Sequence, residues 1–206
     1  MTKFGTEVET VFIVDDDSAI CSGLCDLIES AGLKTQSYSS AEEFFESWNP
    51  GMAGCLVLDV RLPGMSGMEL HAKLVESDIF IPVIIMTGHG DMPMVRKALK
   101  AGAIEFLIKP FRDEELLQAV ELAFALDRNQ RRADQLVNSI QARAEKLSER
   151  ERQVMNLVTA GLTNRQIAEK LYLSIVTIKL HRRQVMKKMQ AESLADLVRM
   201  SERISA

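Results

Sequence analysis

With 206 residues, 47% hydrophobic and 26% charged, the chain has the composition of an ordinary globular protein and a length suited to two small domains. No apolar run approaches the roughly 18 to 20 residues of a membrane span, and the start, MTKFGTEVETVFIVDDD, lacks a secretion signal, so a cytoplasmic protein without a membrane partner is expected. The net charge of −4 hides an asymmetry, with 9 basic against 21 acidic residues in 1–127, 5 against 2 in 128–147 and 11 against 6 in 148–206, which points to a polyanionic partner for the tail.

Along the first 110 residues, short apolar runs at 11–14, 33–38, 55–59, 83–87 and 104–108 alternate with helical patterns. Five such βα units predict an α/β fold with a five-stranded, doubly wound parallel sheet. Ser40 with Glu43 and Ser66 with Glu69 have capping-box spacing at helix starts, and Pro82 falls just before a strand, where a missing donor does least harm. Cys21, Cys25 and Cys55 contain no Cys-x-x-Cys and read as buried free thiols. Trp48 reads as a packing residue near the second helix.

From 113 to 147 there is neither Pro nor Gly, so the helix after the fifth strand is expected to run on as a connector. Leu122, Leu126, Ala133, Leu136, Ile140 and Leu147 lie near a 4-3 spacing, but Asn129 and Arg143 interrupt the seam. A partly helical linker packing on its own protein or on a twin suits this better than a full coiled coil. Beyond it the pattern is all helical, at 148–160, 163–171, 174–189 and 193–204, with capping boxes at Ser148/Glu151 and Thr163/Gln166 and a helix-ending Gly161.

Asp59 ends the third strand, on the sheet edge where open parallel sheets bind ligands. Asp15 and Asp16 follow the first strand, Thr87 ends the fourth and Lys109 follows the fifth. Crowded carboxylates repel one another unless a cation joins them, and a hard divalent ion such as Mg2+ suits oxygen donors. Asp17 is left to cap the next helix, while His71 and His89 read as structural or loop residues.

VDDD (14–17), LDVRLPGMSG (58–67), MTG (86–88) and FLIKPF (106–111) together resemble the receiver domain of two-component response regulators. The resemblance implies that Asp59 accepts a phosphoryl group, with Mg2+ held by Asp16, Asp59, the backbone carbonyl of Arg61 and Asp15, the last through water. Thr87 and Lys109 would then bind phosphoryl oxygens. It further implies a switch in which Thr87 moves inward and Phe106 follows. The family often has tyrosine at the Phe106 position, so the switch here would be steric.

In the tail, Ile178, His181, Val185 and Met189 share one face of a helix, and Val176, Lys179, Leu180, Arg183 and Lys187 project from the other. An apolar Leu180 among cations suits thymine methyls or a protein partner. LSERERQVMNLVTAGLTNRQIAEKL followed by S-x-x-T-x-K-x-H resembles the LuxR-type helix-turn-helix of the NarL/FixJ class. By that resemblance helix 174–189 enters the major groove with Lys179, Leu180 and Arg183 nearest the bases, and Thr163, Asn164 and Lys187 meet phosphate. Arg182 lies near the buried flank and reads as a packing or pairing residue, and helix 193–204 as a dimer surface.

GHGDMPM (88–94) and AGAIEFLIKPF (101–111) narrow the resemblance to FixJ-type regulators. The implied organisation is a receiver at 1–127, a helical linker at 128–147 and a four-helix, LuxR-type DNA-binding domain at 148–206. The resemblance implies phosphorylation by a sensor histidine kinase and dimerisation through the helix after the fourth strand, the fifth strand and the helix that comes next. It also implies binding to duplex DNA, RNA polymerase as a further partner, and activation as the favoured outcome, while the opposite charges of the two parts, −12 for 1–127 and +5 for 148–206, suggest an inhibitory interdomain contact that phosphorylation releases. Self-phosphorylation and autodephosphorylation would be its only chemistry. A Mg2+-dependent phosphohydrolase of the haloacid-dehalogenase kind would need a second Asp where Arg61 stands, and no G-x-x-x-x-G-K-[ST] is present. A phosphorylation-controlled protein-binding adaptor is the remaining alternative.

Overall fold

The computed structural model describes residues 8–88 and 102–205. In chain order it contains β1 (Thr10–Val14), α1 (Ser18–Ser30), β2 (Lys34–Tyr38), α2 (Ala41–Ser47), β3 (Gly54–Asp59), α3 (Gly67–Glu76), β4 (Val83–Thr87) and β5 (Glu105–Ile108). After these come α4 (Asp113–Glu145), α5 (Glu149–Thr159), α6 (Asn164–Leu171), α7 (Ile175–Met189) and α8 (Leu194–Ser205). His89, most of GHGDMPM and the helix expected after the fourth strand lie outside the described residues, and with them part of the expected receiver dimer face. Among the described residues, no helix is long and apolar enough to cross a membrane.

The five strands are parallel in the order β2-β1-β3-β4-β5. Alternate residues of each inner strand feed opposite faces, which is why the strand sequences read as near-continuous apolar runs. Phe12, Val14, Leu56, Leu58, Val83 and Ile85 pack with Phe44 of α2 and Leu70 and Leu74 of α3. Their neighbours Val11, Ile13, Cys55, Val57, Ile84 and Met86 pack with Leu24 and Ile28 of α1 and Leu116 and Val120 of α4. The doubly wound sheet expected from the sequence results from this two-sided burial. The order reverses between β1 and β3, so a crevice opens beyond their carboxyl ends.

Local signals set the loops around that crevice. Asp17 caps α1, accepting from the backbone N–H groups of Ala19 and Ile20. Ser66 and Glu69 form a reciprocal capping box, and Gly67 opens α3 so close to the carbonyl oxygen of Asp59 that a Cβ there would collide with it. The Ser40 cap is one-sided. Its hydroxyl accepts from Glu43 N–H, but the Glu43 carboxylate turns instead to the N–H and hydroxyl of Ser39. Trp48 packs beside Phe44, as expected. Cys21 and Cys55 are buried free thiols, and Cys25 is half-buried. His71 is buried, its Nδ1 has no hydrogen-bond partner among the described residues, and burial holds its pKa below the ordinary value.

The chain divides into two compact units, 1–130 and 131–206. In the first, buried Asp127 accepts a hydrogen bond from Gly54 N–H at 3.0 Å and Arg128 pairs with Glu9, which fastens α4 to the amino end of the sheet. The connector is continuous with α4. Its later apolar positions, Ile140 and Leu147, lie in the core of the second unit with Val154, Val158, Ile167, Ile178, Val185, Met189 and Leu197. Leu122, Leu126 and Leu136 stay exposed. The seam's end thus packs on its own chain, while these three positions remain 39–50% exposed.

The four short helices of the second unit start where the sequence places their caps. Ser148 and Thr163 form complete capping boxes and Ser174 caps α7, while Gly161 adopts φ of 85° past the end of α5. Ile178, Val185 and Met189 of α7 are buried as expected, and His181 is half-buried. The buried Glu151 accepts at 2.6 Å from Lys188, which joins the start of α5 to the end of α7.

That hydrogen bond holds the Glu151 carboxyl below its usual range. A group whose pKa is lower in the folded than in the unfolded state adds stability above the unfolded value, about 4.3 for Glu, and loses it as the pH falls through the folded one. Glu151→Gln is therefore expected to cost about 1–3 kcal/mol at pH 7, allowing for the partial exposure of Lys188. The difference from wild type should shrink toward pH 3. Urea unfolding tracked by helical circular dichroism measures both, and a pH-independent difference would count against the assignment.

Candidate functional site

The crevice between β1 and β3 is where the expected acids meet. Asp15, just after β1, is 3% exposed and Asp59, the last residue of β3, is 7% exposed. Lys109, one residue beyond β5, reaches both, with its Nζ 2.7 Å from Asp15 Oδ2 and 2.7 Å from Asp59 Oδ1. Burial works against the charged ammonium, but the hydrogen bonds to the two carboxylates outweigh it and raise the lysine pKa above its ordinary value.

Each carboxylate is also oriented by backbone. Arg61 N–H donates to Asp59 Oδ2 at 2.6 Å, and Asp17 N–H donates to Asp15 Oδ1 at 3.0 Å. Both oxygens of Asp59 thus have a donor in advance of any reactant, so the group is held in one orientation. Thr87 ends β4 and is 1% exposed. Its carbonyl accepts from Lys109 N–H at 2.7 Å, which ties the ends of the two strands together. Phe106, on β5, is half-buried against the face shared with α2 and α3.

Asp16 is not part of the buried hydrogen-bonded group that Asp15, Asp59 and Lys109 form. It is exposed, and among the described residues no three His, Cys, Asp or Glu side chains form a set able to hold a metal ion. Lys109 hydrogen-bonds both buried acids. One ammonium between two carboxylates still leaves a net negative charge, and Mg2+ keeps several waters and needs only one or two carboxylates. The donor chemistry of Asp15, Asp59 and the neighbouring Asp16, all oxygen and partly uncompensated, therefore fits a hard divalent cation. Asp15 and Asp16 also line an open cavity of about 510 Å³ with Ser18, Cys21 and Tyr38.

Two supporting contacts had no signal in the sequence. The Glu42 carboxylate accepts from Met65 N–H at 2.8 Å and so pins the loop after Asp59, from 23 residues away. The Cys21 thiol lies 3.4 Å from the carbonyl oxygen of Asp15.

In the second unit, α7 presents one exposed stripe: Val176, Lys179, Leu180, Arg183 and Lys187. The cations on and off this stripe differ sharply. Arg182 donates to Asn164 Oδ1 at 2.6 Å and Lys188 pairs with Glu151. Among the described residues no carboxylate pairs with Lys179, Arg183 or Lys187. Thr163 and Asn164 sit at the start of α6, but both are engaged. The Thr163 hydroxyl belongs to the capping box, and the Asn164 oxygen accepts from Arg182.

An anionic crevice at the switch point of a parallel sheet, joined in one chain to a four-helix unit with an exposed cationic helix face, defines a regulator with an input and an output part. Residues 11–121 match the response regulator receiver domain, and residues 145–201 match the bacterial regulatory proteins of the luxR family. The chain belongs to the response regulators that carry a LuxR-type DNA-binding domain.

It is 48% identical to nodulation protein W of Bradyrhizobium diazoefficiens over 202 residues, which is 97% of this chain and 89% of that protein. It is 41% identical to the transcriptional regulatory protein FixJ of the same species over 194 residues, 94% of each chain. The low-resolution structure of response regulator StyR matches with a TM-score of 0.85 at 43% identity, covering 95% of this chain and 99% of that one. The FixJ-type resemblance read from the sequence is borne out.

Proposed function

We propose that the chain is a phosphorylation-controlled transcriptional regulator whose phosphoacceptor is Asp59. The observation that carries this is the 2.7 Å pairing of Lys109 with both Asp59 and Asp15 at the switch-point crevice. An Asp59 oxygen attacks the phosphorus of a phosphohistidine on a sensor histidine kinase. The P–N bond breaks, its electron pair stays on the imidazole nitrogen, and Asp59 becomes an acyl phosphate. Lys109 offsets the charge that develops on the transferring group, and the Arg61 N–H keeps the carboxylate aligned.

Asp15, Asp16, Asp59 and the carbonyl of Arg61 would hold Mg2+, which when bound supplies Lewis-acid neutralisation of the phosphoryl oxygens. Water attack on phosphorus later restores the carboxylate and releases inorganic phosphate, so the only turnover assigned to the chain is its own phosphorylation and dephosphorylation. The acyl phosphate adds oxygens that the Thr87 hydroxyl can approach, and Phe106 fills the space it leaves.

In this reading residues 1–127 are the receiver, 128–147 the helical linker and 148–206 the DNA-binding domain of a cytoplasmic protein. Phosphorylation favours a homodimer, and the dimer binds duplex DNA through Lys179, Leu180, Arg183 and Lys187, with backbone contacts near Thr163 and Asn164. Activation through RNA polymerase is the favoured output.

Light scattering and a DNA-binding assay, each with and without acetyl phosphate and Mg2+, test the scheme on wild type and Asp59→Asn. Phosphate-dependent dimerisation and at least tenfold tighter DNA binding are expected in the wild type alone. Equal DNA binding with and without phosphate would remove Asp59 from the switch.

A further inference from the structure

We propose that Val176 is a specificity-determining residue that, with Leu180, reads the C5-methyl groups of thymine in the major groove. The inference rests on the reading that α7 enters that groove. Val176 is 77% exposed and Leu180 55% exposed, whereas Ile178, Val185 and Met189 of the same helix are buried in the core. These two apolar side chains therefore contribute nothing to that core. Standing four residues apart, they share a helix face.

Charge identifies the occupant of that face. Lys179, Arg183 and Lys187 lie on the same exposed stripe and pair with no carboxylate among the described residues, so an apolar ridge is framed by unspent positive charge. A hydrophobic protein partner would have to bury those cations, while duplex DNA neutralises them with phosphate and offers an apolar group at thymine alone. Valine is stiff at χ1 and loses little freedom on contact. Four helical residues advance about 6 Å, so the two side chains can address positions roughly two base-pair steps apart when the helix tracks the groove.

The test uses the full chain treated with acetyl phosphate and Mg2+. A preferred duplex is selected from a random library, and each thymine of its half-site is then replaced singly by uracil, which removes only the methyl group. Affinities are measured by fluorescence anisotropy at fixed salt for wild type, Val176→Ala, Leu180→Ala and Arg183→Ala. In the wild type, loss of the methyl should weaken binding about three- to tenfold at two positions, the worth of one buried methyl at each.

One of those sensitivities should vanish in Val176→Ala, another in Leu180→Ala, and both should persist in Arg183→Ala. If uracil is tolerated everywhere by the wild type, or if every sensitivity survives Val176→Ala, the proposal is wrong. If the phosphorylated chain selects no duplex at all, the DNA-binding reading itself fails and the proposal falls with it, an outcome distinct from methyl insensitivity.

Discussion

Lys109→Ala is expected to slow phosphorylation of Asp59 by acetyl phosphate by about 10²–10³-fold, the usual loss when one preorganised charge stabiliser is removed from a buried reacting centre. The wild-type lysine makes two 2.7 Å contacts, to Asp15 and to Asp59, so its removal leaves two buried carboxylates facing each other. An incoming phosphoryl group would then meet the crevice without the ammonium that bridges its two buried carboxylates. The stability cost is smaller, about 1–3 kcal/mol, because the lysine side chain is itself 21% exposed and water screens part of the pairing.

Lys109→Arg separates the two effects. It keeps the charge, but a planar guanidinium does not reproduce two short contacts from a single nitrogen. Stability should therefore recover more fully than rate. Acid-quenched phosphoprotein measurements give the rate and urea unfolding the stability, and a rate loss under about threefold in Lys109→Ala would exclude the lysine from phosphoryl transfer.

Replacing Lys179, Arg183 and Lys187 together by alanine is expected to weaken operator binding at least about 10³-fold near physiological salt, with little effect on folding. Each cation that neutralises a phosphate adds about 0.9 to the slope of log K against log salt, so the loss of Lys187, the phosphate contact of the three, should lower the slope by roughly 0.9 per protomer, while the loss of Lys179 and Arg183 removes base contacts. Folding is spared because these side chains are exposed and have no carboxylate partner among the described residues. The matched control is Arg182→Ala. That residue donates to Asn164, so the substitution should perturb the unit's stability and leave the salt slope nearly unchanged. An unaltered slope in the triple variant would mean that α7 is not the DNA-binding face.

Much of the receiver is legible in its residues alone. Apolar runs of strand length, each leading into a capped helix, allow few arrangements other than a parallel sheet, and in such a sheet every strand's carboxyl end lies on one edge. Asp15, Asp59, Thr87 and Lys109 can thus be placed near one another by topology. The state of the site is not legible in the same way. The three acids do not reveal that Lys109 pairs with both buried ones while Asp16 is exposed. The Ser40 capping box misled for a similar reason, since Ser39 competes for the Glu43 carboxylate at the same short range.

The kind and order of the elements are written in the chain, because helix caps, strand periodicity and turn glycines act within a few residues of one another. So is the set of ionisable groups that reach the sheet edge, since each strand's end point fixes it. Helical position already separates Arg182 from Arg183 and Lys187, but which partner takes up each inward cation was settled only by the folded packing. Arg183 and Lys187 face outward, while Arg182 is spent on Asn164 and Lys188 on Glu151. Asp127 likewise reads as one more surface acid on a long helix until Gly54 N–H, 73 residues away, is found beside it. The cause is common to all of these: whether a charge is available depends on what another element brings within about 3 Å of it, and no local pattern records that distance.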